Sequence, residues 1–381
     1  VQPQSSGSSR SVWILVAIMI SSFGRMMGAC GDSHHRPPQI STIPRYVPTS
    51  LPDWGQKNAY FYLRRGDDRK EAGFLDSALE DYDIAIQLDP RIARAYRSRG
   101  SIKEAQGDLD AAIADCTKAI ELDPEDPIAR RYRAASRQAH GDLIGAEADY
   151  SKSLRLNPAE GTAWSGRGMV HRARNNFPAA LDDFNAALEA NPEDVHSWHY
   201  RGHIKSDLGD FGGAVQDFTN AMEFNPGLSE LSYDRGCARY NSHAWSDALS
   251  DFEAAAAKVP SLRDEAHLRM FLLRLRIGRR EEAGIMLDQY LLHRKDGDHW
   301  SLKSLQFALG RLTEQMYLEY AGMTDPKHAC DAGFVMGTMR LLRGDRAGAR
   351  EMFEKCVLTR RLQDSGYDSA RAELLALSAG K

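Results

Sequence analysis

Residues 85–90 read AIQLDP, and the phrase returns as AIELDP at 119–124, SLRLNP at 153–158, ALEANP at 187–192, AMEFNP at 221–226 and AAAKVP at 255–260. Each return falls 34 residues after the one before. A half-apolar run closed by proline marks a helix being stopped, because proline has no N–H to donate and its ring blocks the next turn. A chain that stops a helix in the same way six times at a fixed period is an array of like units.

Numbering each unit from Ala59, Ala93, Pro127, Gly161, Val195 and Ser229 exposes the packing pattern. Position 8 is Gly66, Gly100, Ala134, Gly168, Gly202 and Gly236, and position 20 is alanine in all six units. Position 24 carries a large side chain, Tyr82, Tyr150, Phe184, Phe218 or Phe252, with Cys116 as the small exception. Small against large at facing positions fills a helical hairpin without voids. From Ala59 to Pro260 the chain resembles the tetratricopeptide repeat, two antiparallel helices per unit. That resemblance implies an all-α fold, a right-handed α-solenoid whose A helices line a concave groove that binds partner proteins.

A second regularity concerns charge. Position 7 is Arg65, Arg99, Arg133, Arg167, Arg201 and Arg235, and position 23 is Asp81, Asp115, Asp149, Asp183, Asp217 and Asp251. In a hairpin that turns near positions 15–16 these two lie nearly opposite, so each unit should hold one Arg–Asp rung. In a last hairpin aligned on Gly337 and Gly344, the same positions become Met336 and Met352, and both charges vanish together. Losing one partner of a half-buried pair strands the other at a cost of about 3–5 kcal/mol. These arginines therefore read as register devices.

Six units occupy 55–260, followed by atypical helical units over 261–325 and a final hairpin with a closing helix over 326–381. Residues 263–294 read as a helix pair turning at Gly278, and Asp298 is placed to cap a helix ahead of Trp300. A closing helix near 367–379 would cover the apolar end that a solenoid otherwise exposes. The order Trp300, FALGRLTEQ, a glycine-aspartate turn and ARAELLAL resembles the C-terminal half of the NlpI-type lipoproteins. That resemblance implies a dimeric, outer-membrane-anchored periplasmic adaptor that brings peptidoglycan hydrolases and a protease together.

The start of the chain fits export. Residues 12–24, VWILVAIMISSFG, form an apolar run too short to span a bilayer comfortably but suited to a signal-peptide core. MMGAC follows and looks like a bacterial lipobox, which makes 1–29 a lipoprotein signal and Cys30 the lipidated residue. An uncleaved anchor, or a chain start assigned at the wrong place, are the alternatives. Five prolines within 31–54 disfavour a packed core and make 30–54 an extended tether. The periplasmic face of a membrane, the outer one favoured, is the expected location. A cytosolic or inner-membrane-anchored adaptor is the rival reading.

The 381 residues are 42% hydrophobic and 27% charged, with a net charge of -4, which excludes a global attraction to nucleic acid. No GxSxG, HExxH or P-loop pattern occurs, so the expectation is a binding protein with no enzymatic activity and no cofactor. Groove positions of repeats 2 to 4 carry Arg94, Arg97, Arg131 and Arg172, with Glu104 among them. Guanidinium groups grip carboxylates in bidentate fashion, so an acidic peptide or a free C-terminus is one reading of the ligand, and a plain solvated face of mixed charge is the equal alternative. Repeat 5 puts His196, His199 and His203 on one helical face, a groove that neutral pH would tune. The four-residue spacing of His199 and His203 suits metal chelation, but no carboxylate third ligand stands out, so no metal is expected there. A metal-dependent enzyme at these histidines remains the weakest rival. Cys330 and Cys356 take positions 1 and 27 of the last hairpin and should face each other. A disulfide there and a small core residue at Cys356 are both open readings.

Overall fold

A computed structural model describes residues 58–295, 299–322, 326–359 and 365–379. The leader, with Cys30 and the proline-rich tether, lies outside the described residues, as does Asp298. The described chain is helical throughout and divides into two units, one ending at Val170 and the other beginning at His171. No helix among the described residues is long and apolar enough to cross a membrane.

The first unit holds α1 (Ala59–Glu71), α2 (Leu75–Leu88), α3 (Ala93–Ala105), α4 (Leu109–Leu122), α5 (Pro127–His140), α6 (Leu143–Leu156) and most of α7 (Gly161–Ala173). The second holds the end of α7, then α8 (Phe177–Ala190), α9 (Val195–Asp207), α10 (Phe211–Phe224), α11 (Glu230–Asn241) and α12 (Trp245–Lys258). It continues through α13 (Arg263–Arg276), α14 (Arg280–His293), α15 (His299–Ala308) and α16 (Glu314–Gly322). It ends with α17 (Pro326–Leu342), α18 (Arg346–Leu358) and α19 (Ser365–Ser378).

Each hairpin turns because one residue leaves the right-handed region. Position 15 has positive φ in all six repeats: glycine in four, Asn175 at φ 57° and His243 at φ 64° in the others. Aspartates Asp108, Asp142 and Asp210 then accept hydrogen bonds from the exposed backbone N–H groups that open α4, α6 and α10. The alanines at position 20 are fully buried in all six repeats. A Cβ added to Gly66 would meet the Tyr82 ring at 2.7 Å, and one on Gly202 would meet Phe218 at 2.8 Å. Glycine at position 8 thus gives the position 24 ring its seat. Where Ala134 fills position 8, the Tyr150 ring lies against Gly166 of the next helix.

After Val259 the helices stay antiparallel in α13 and α14, turning at Gly278 with φ +81°. The stretch around Trp300 is two helices, α15 and α16, because Gly310 takes φ +73° between them. The last hairpin, α17 and α18, packs Met336 and Met352 as buried apolar residues, and Gly337 seats Phe353. Cys330 and Cys356 are joined there by a disulfide, both fully buried. The closing helix α19 docks on α11, α13, α17 and α18. Arg276 pairs with Glu373, and the buried Arg269 donates to Ser369 Oγ at 2.9 Å and Ser365 Oγ at 3.2 Å.

Candidate functional site

The charged rungs come first, since they decide which arginines are free to recognise anything. Arg65 donates from Nε to Asp81 at 2.9 Å and from Nη2 at 2.5 Å. Arg99–Asp115, Arg133–Asp149, Arg201–Asp217 and Arg235–Asp251 repeat that bidentate grip. In the first unit Arg167 donates to Ser151 Oγ at 3.1 Å, and in the second Asp183 is buried.

The sequence reading missed two further parts of this device. Position 11 is Arg or Lys in five of the six repeats, and it reaches the same aspartate. Arg69 approaches Asp81 at 2.9 Å, Lys103 Asp115 at 2.9 Å, Arg137 Asp149 at 2.8 Å, Lys205 Asp217 at 2.9 Å and Arg239 Asp251 at 2.7 Å. In repeat 4 the cation is replaced by His171, whose Nε2 lies 3.6 Å from Asp183. Position 7 also points back to position 25 of the preceding repeat, as in Arg99 to Asp83 at 2.6 Å and Arg201 to Asn185 at 2.6 Å. Both signals stand in the sequence at the repeat period. Each rung therefore ties a hairpin internally and to its predecessor. In the last hairpin, where Met352 replaces the aspartate, the position 11 cation Arg340 turns away to Glu314 at 2.5 Å.

The groove arginines are less free than their spacing suggested. Arg94 pairs with Asp67 at 2.8 Å, and Arg97 with Asp126 at 2.6 Å. Arg131 pairs with Glu160 at 3.2 Å and lies over the Tyr132 ring at 4.3 Å. Burial raises the Glu104 carboxyl pKa against the opposing pull of Arg131 and Lys70. In the second unit Arg172 stacks over Tyr200 at 5.2 Å, and burial lowers its pKa. The positive charge that recommended an acidic ligand is thus largely compensated within the fold.

The histidine face of α9 is where structure and sequence diverge. His199 Nε2 lies 2.8 Å from Asp234 Oδ2 on α11, and His203 Nε2 lies 3.5 Å from the same oxygen. The two Nε2 atoms are 2.9 Å apart. The carboxylate that seemed to be missing is supplied one repeat later. The sequence hid it because Asp234 and His199 are 35 residues apart and only the packing of α9 on α11 brings them together. The rings are held by Phe218, with centroids 5.9 Å from His199 and 5.3 Å from His203. His196 stands aside, stacked at 6.5 Å on Tyr200. Burial lowers the His199 pKa. Burial alone would raise the Asp234 pKa, but the two imidazoles hold it well below the usual carboxylate range. A cleft of about 230 Å³ opens beside the group, lined in part by His203, Asp234, Cys237 and Asp368.

The tetratricopeptide repeat family matches residues 63–127 and 132–195, which take in positions 7 and 23 of the first four repeats and the packing glycines Gly66, Gly100 and Gly168. The hairpins within those residues are tetratricopeptide repeats. Among solved structures, YrrB, described as a tetratricopeptide repeat protein with an unusual peptide-binding site, is 27% identical over 52% of this chain and 98% of its own, with a TM-score of 0.45. A tetratricopeptide repeat protein from Parabacteroides merdae is 19% identical over 67% of this chain and 98% of its own, with a TM-score of 0.46. The first such domain of Spaghetti (RPAP3), solved with an HSP90 peptide, is 27% identical over 30% of this chain and 92% of its own, with a TM-score of 0.30. No curated protein matches the chain.

Proposed function

We propose that this tetratricopeptide repeat protein is an interaction scaffold, holding other proteins against the A-helix faces of its repeats without chemistry of its own. One observation carries the reading. Successive A helices of the first unit join across repeats, α1 to α3 through Arg94 to Asp67 at 2.8 Å and Lys70 to Ser101 Oγ at 2.5 Å, and α3 to the start of α5 through Arg97 to Asp126 at 2.6 Å, so that the three offer one continuous polar face. A continuous face of both signs suits an extended protein segment that makes many modest contacts. An acidic segment would have to displace Asp67, Asp126 and Glu160 from their arginines. A segment of mixed charge would not.

The place of action is the envelope in this reading. Cys30 carries a lipid, the proline-rich tether spaces the repeats from the membrane, and the partners are envelope enzymes such as peptidoglycan hydrolases. A buried Cys330–Cys356 disulfide supports that reading, because such bonds persist in oxidising compartments. Two measurements test it. Full-length protein expressed in a Gram-negative host should fractionate with membranes and show a mature N-terminus of lipid-modified Cys30. A soluble, unmodified chain would move the scaffold to the cytoplasm. Tagged full-length protein should co-purify a defined partner at fixed stoichiometry, and Tyr60→Ala with Glu104→Ala should reduce that yield. An unchanged yield would remove the A-helix face from the proposal.

A further inference from the structure

Three side chains from two repeats converge on one point in the second unit: His199 and His203 from α9, and Asp234 from α11. Protons do not satisfy their contacts. A neutral imidazole Nε2 is either a donor or an acceptor. If His199 Nε2 carries the hydrogen, it can donate to Asp234 at 2.8 Å but presents no lone pair to His203 at 2.9 Å. If it is bare, it can accept from His203, but its lone pair then faces the carboxylate oxygen. One short contact is always left without a two-centre hydrogen bond. A cation between them resolves this, because all three atoms can then direct lone pairs at it.

A second observation points the same way. Asp368, on α19, lines the same cleft, and its carboxyl pairs with that of Asp207, which is 5% exposed. The cleft therefore sets the Asp368 carboxyl beside Asp234 and the His203 imidazole, with Arg371 donating to the backbone oxygen of Asp207 behind it.

We propose that His199, His203 and Asp234 bind a divalent cation of the zinc class, with the coordination position opposite them open to the cleft beside Asp368. Two imidazole nitrogens and one carboxylate oxygen form a donor set that suits Zn²⁺. Bonds of about 2.0–2.1 Å in tetrahedral geometry need donors roughly 3.3 Å apart. The two imidazole nitrogens, at 2.9 Å, and the His199–Asp234 pair, at 2.8 Å, would open by about half an ångström, and the His203–Asp234 pair is already at 3.5 Å. Because the donors come from adjacent repeats, the ion would fasten repeat 5 to repeat 6.

The test uses untagged full-length protein stripped with EDTA and titrated with ZnCl₂ alone by calorimetry, with thermal melting alongside. The expected result is one Zn²⁺ per chain, a rise in Tm on binding, and at least about a 100-fold loss of affinity in both His203→Gln and Asp234→Asn. The metal-free melts of the variants show whether they fold. Should either fail to fold, Co²⁺ added to the wild type decides: intense visible bands of tetrahedral cobalt support the site, and the weak spectrum of aqueous cobalt overturns it. Absence of binding by wild type, or Zn²⁺ uptake unchanged in folded variants, also overturns it.

Discussion

Asp149 receives two N–H bonds from Arg133 and a third contact from Arg137, and it is 4% exposed. Its loss leaves two cations facing a pocket shaped for a carboxylate. Asp149→Ala should lower stability by about 3 kcal/mol, whereas Asp182→Ala, on an exposed site, should change it by less than about 0.5 kcal/mol. Denaturant titration measures both. Since Met336 and Met352 replace a whole rung in the last hairpin, Arg133→Met combined with Asp149→Met should be milder than Asp149→Ala alone. The position 7 and 23 residues were legible because their charges repeat without exception. The position 11 cation was equally legible but varies between Arg, Lys and His, which disguises one role as three. At His243 the fold holds a non-glycine residue at φ 64° for want of the glycine used in four other repeats. His243→Gly should raise stability by about 1 kcal/mol, less whatever its 4.8 Å contact with Trp245 contributes. A fall in Tm would show that the ring contact outweighs the backbone.

At the scale of elements, the helical hairpin was readable because its small and large positions recur at one period. Gly202 and Phe218 illustrate it: the ring occupies the space where a Cβ would stand, 2.8 Å from its Cε1. Gly202→Ala should destabilise by about 1–3 kcal/mol, visible as a lower denaturation midpoint with an unchanged slope. The elements after Val259 were harder to read. Gly310, at positive φ, lies in the five-residue turn 309–313 that separates α15 from α16. The docking of α19 was legible as a need for a cover but not in its means, because Arg276 and Glu373 are 97 residues apart. Glu373→Ala leaves the buried Arg276 guanidinium without its carboxylate. It should loosen α19 first, seen as faster amide exchange over 365–378 than over α12.

Across the whole molecule, the repeats were legible and the recognition chemistry was not. Groove arginines chosen by position turned out to be paired with acids such as Asp126 and Glu160, which sequence alone places on loops without saying which way they face. The His199, His203 and Asp234 group failed to stand out for the opposite reason, since its third member belongs to the next repeat. In the proposed reading the buried charges hold register and the A-helix face receives partners. The direct measurement is site-specific photo-crosslinking in the native host, with p-benzoylphenylalanine at Tyr60 on the A-helix face or at Ile144 on a B helix. Both side chains are exposed, 65% and 74% respectively, so accessibility alone does not separate them. The expected result is an adduct of one defined mass from Tyr60 and none from Ile144. Equal yields from the two sites, or no adduct at Tyr60, would contradict a scaffold that works through its A-helix face.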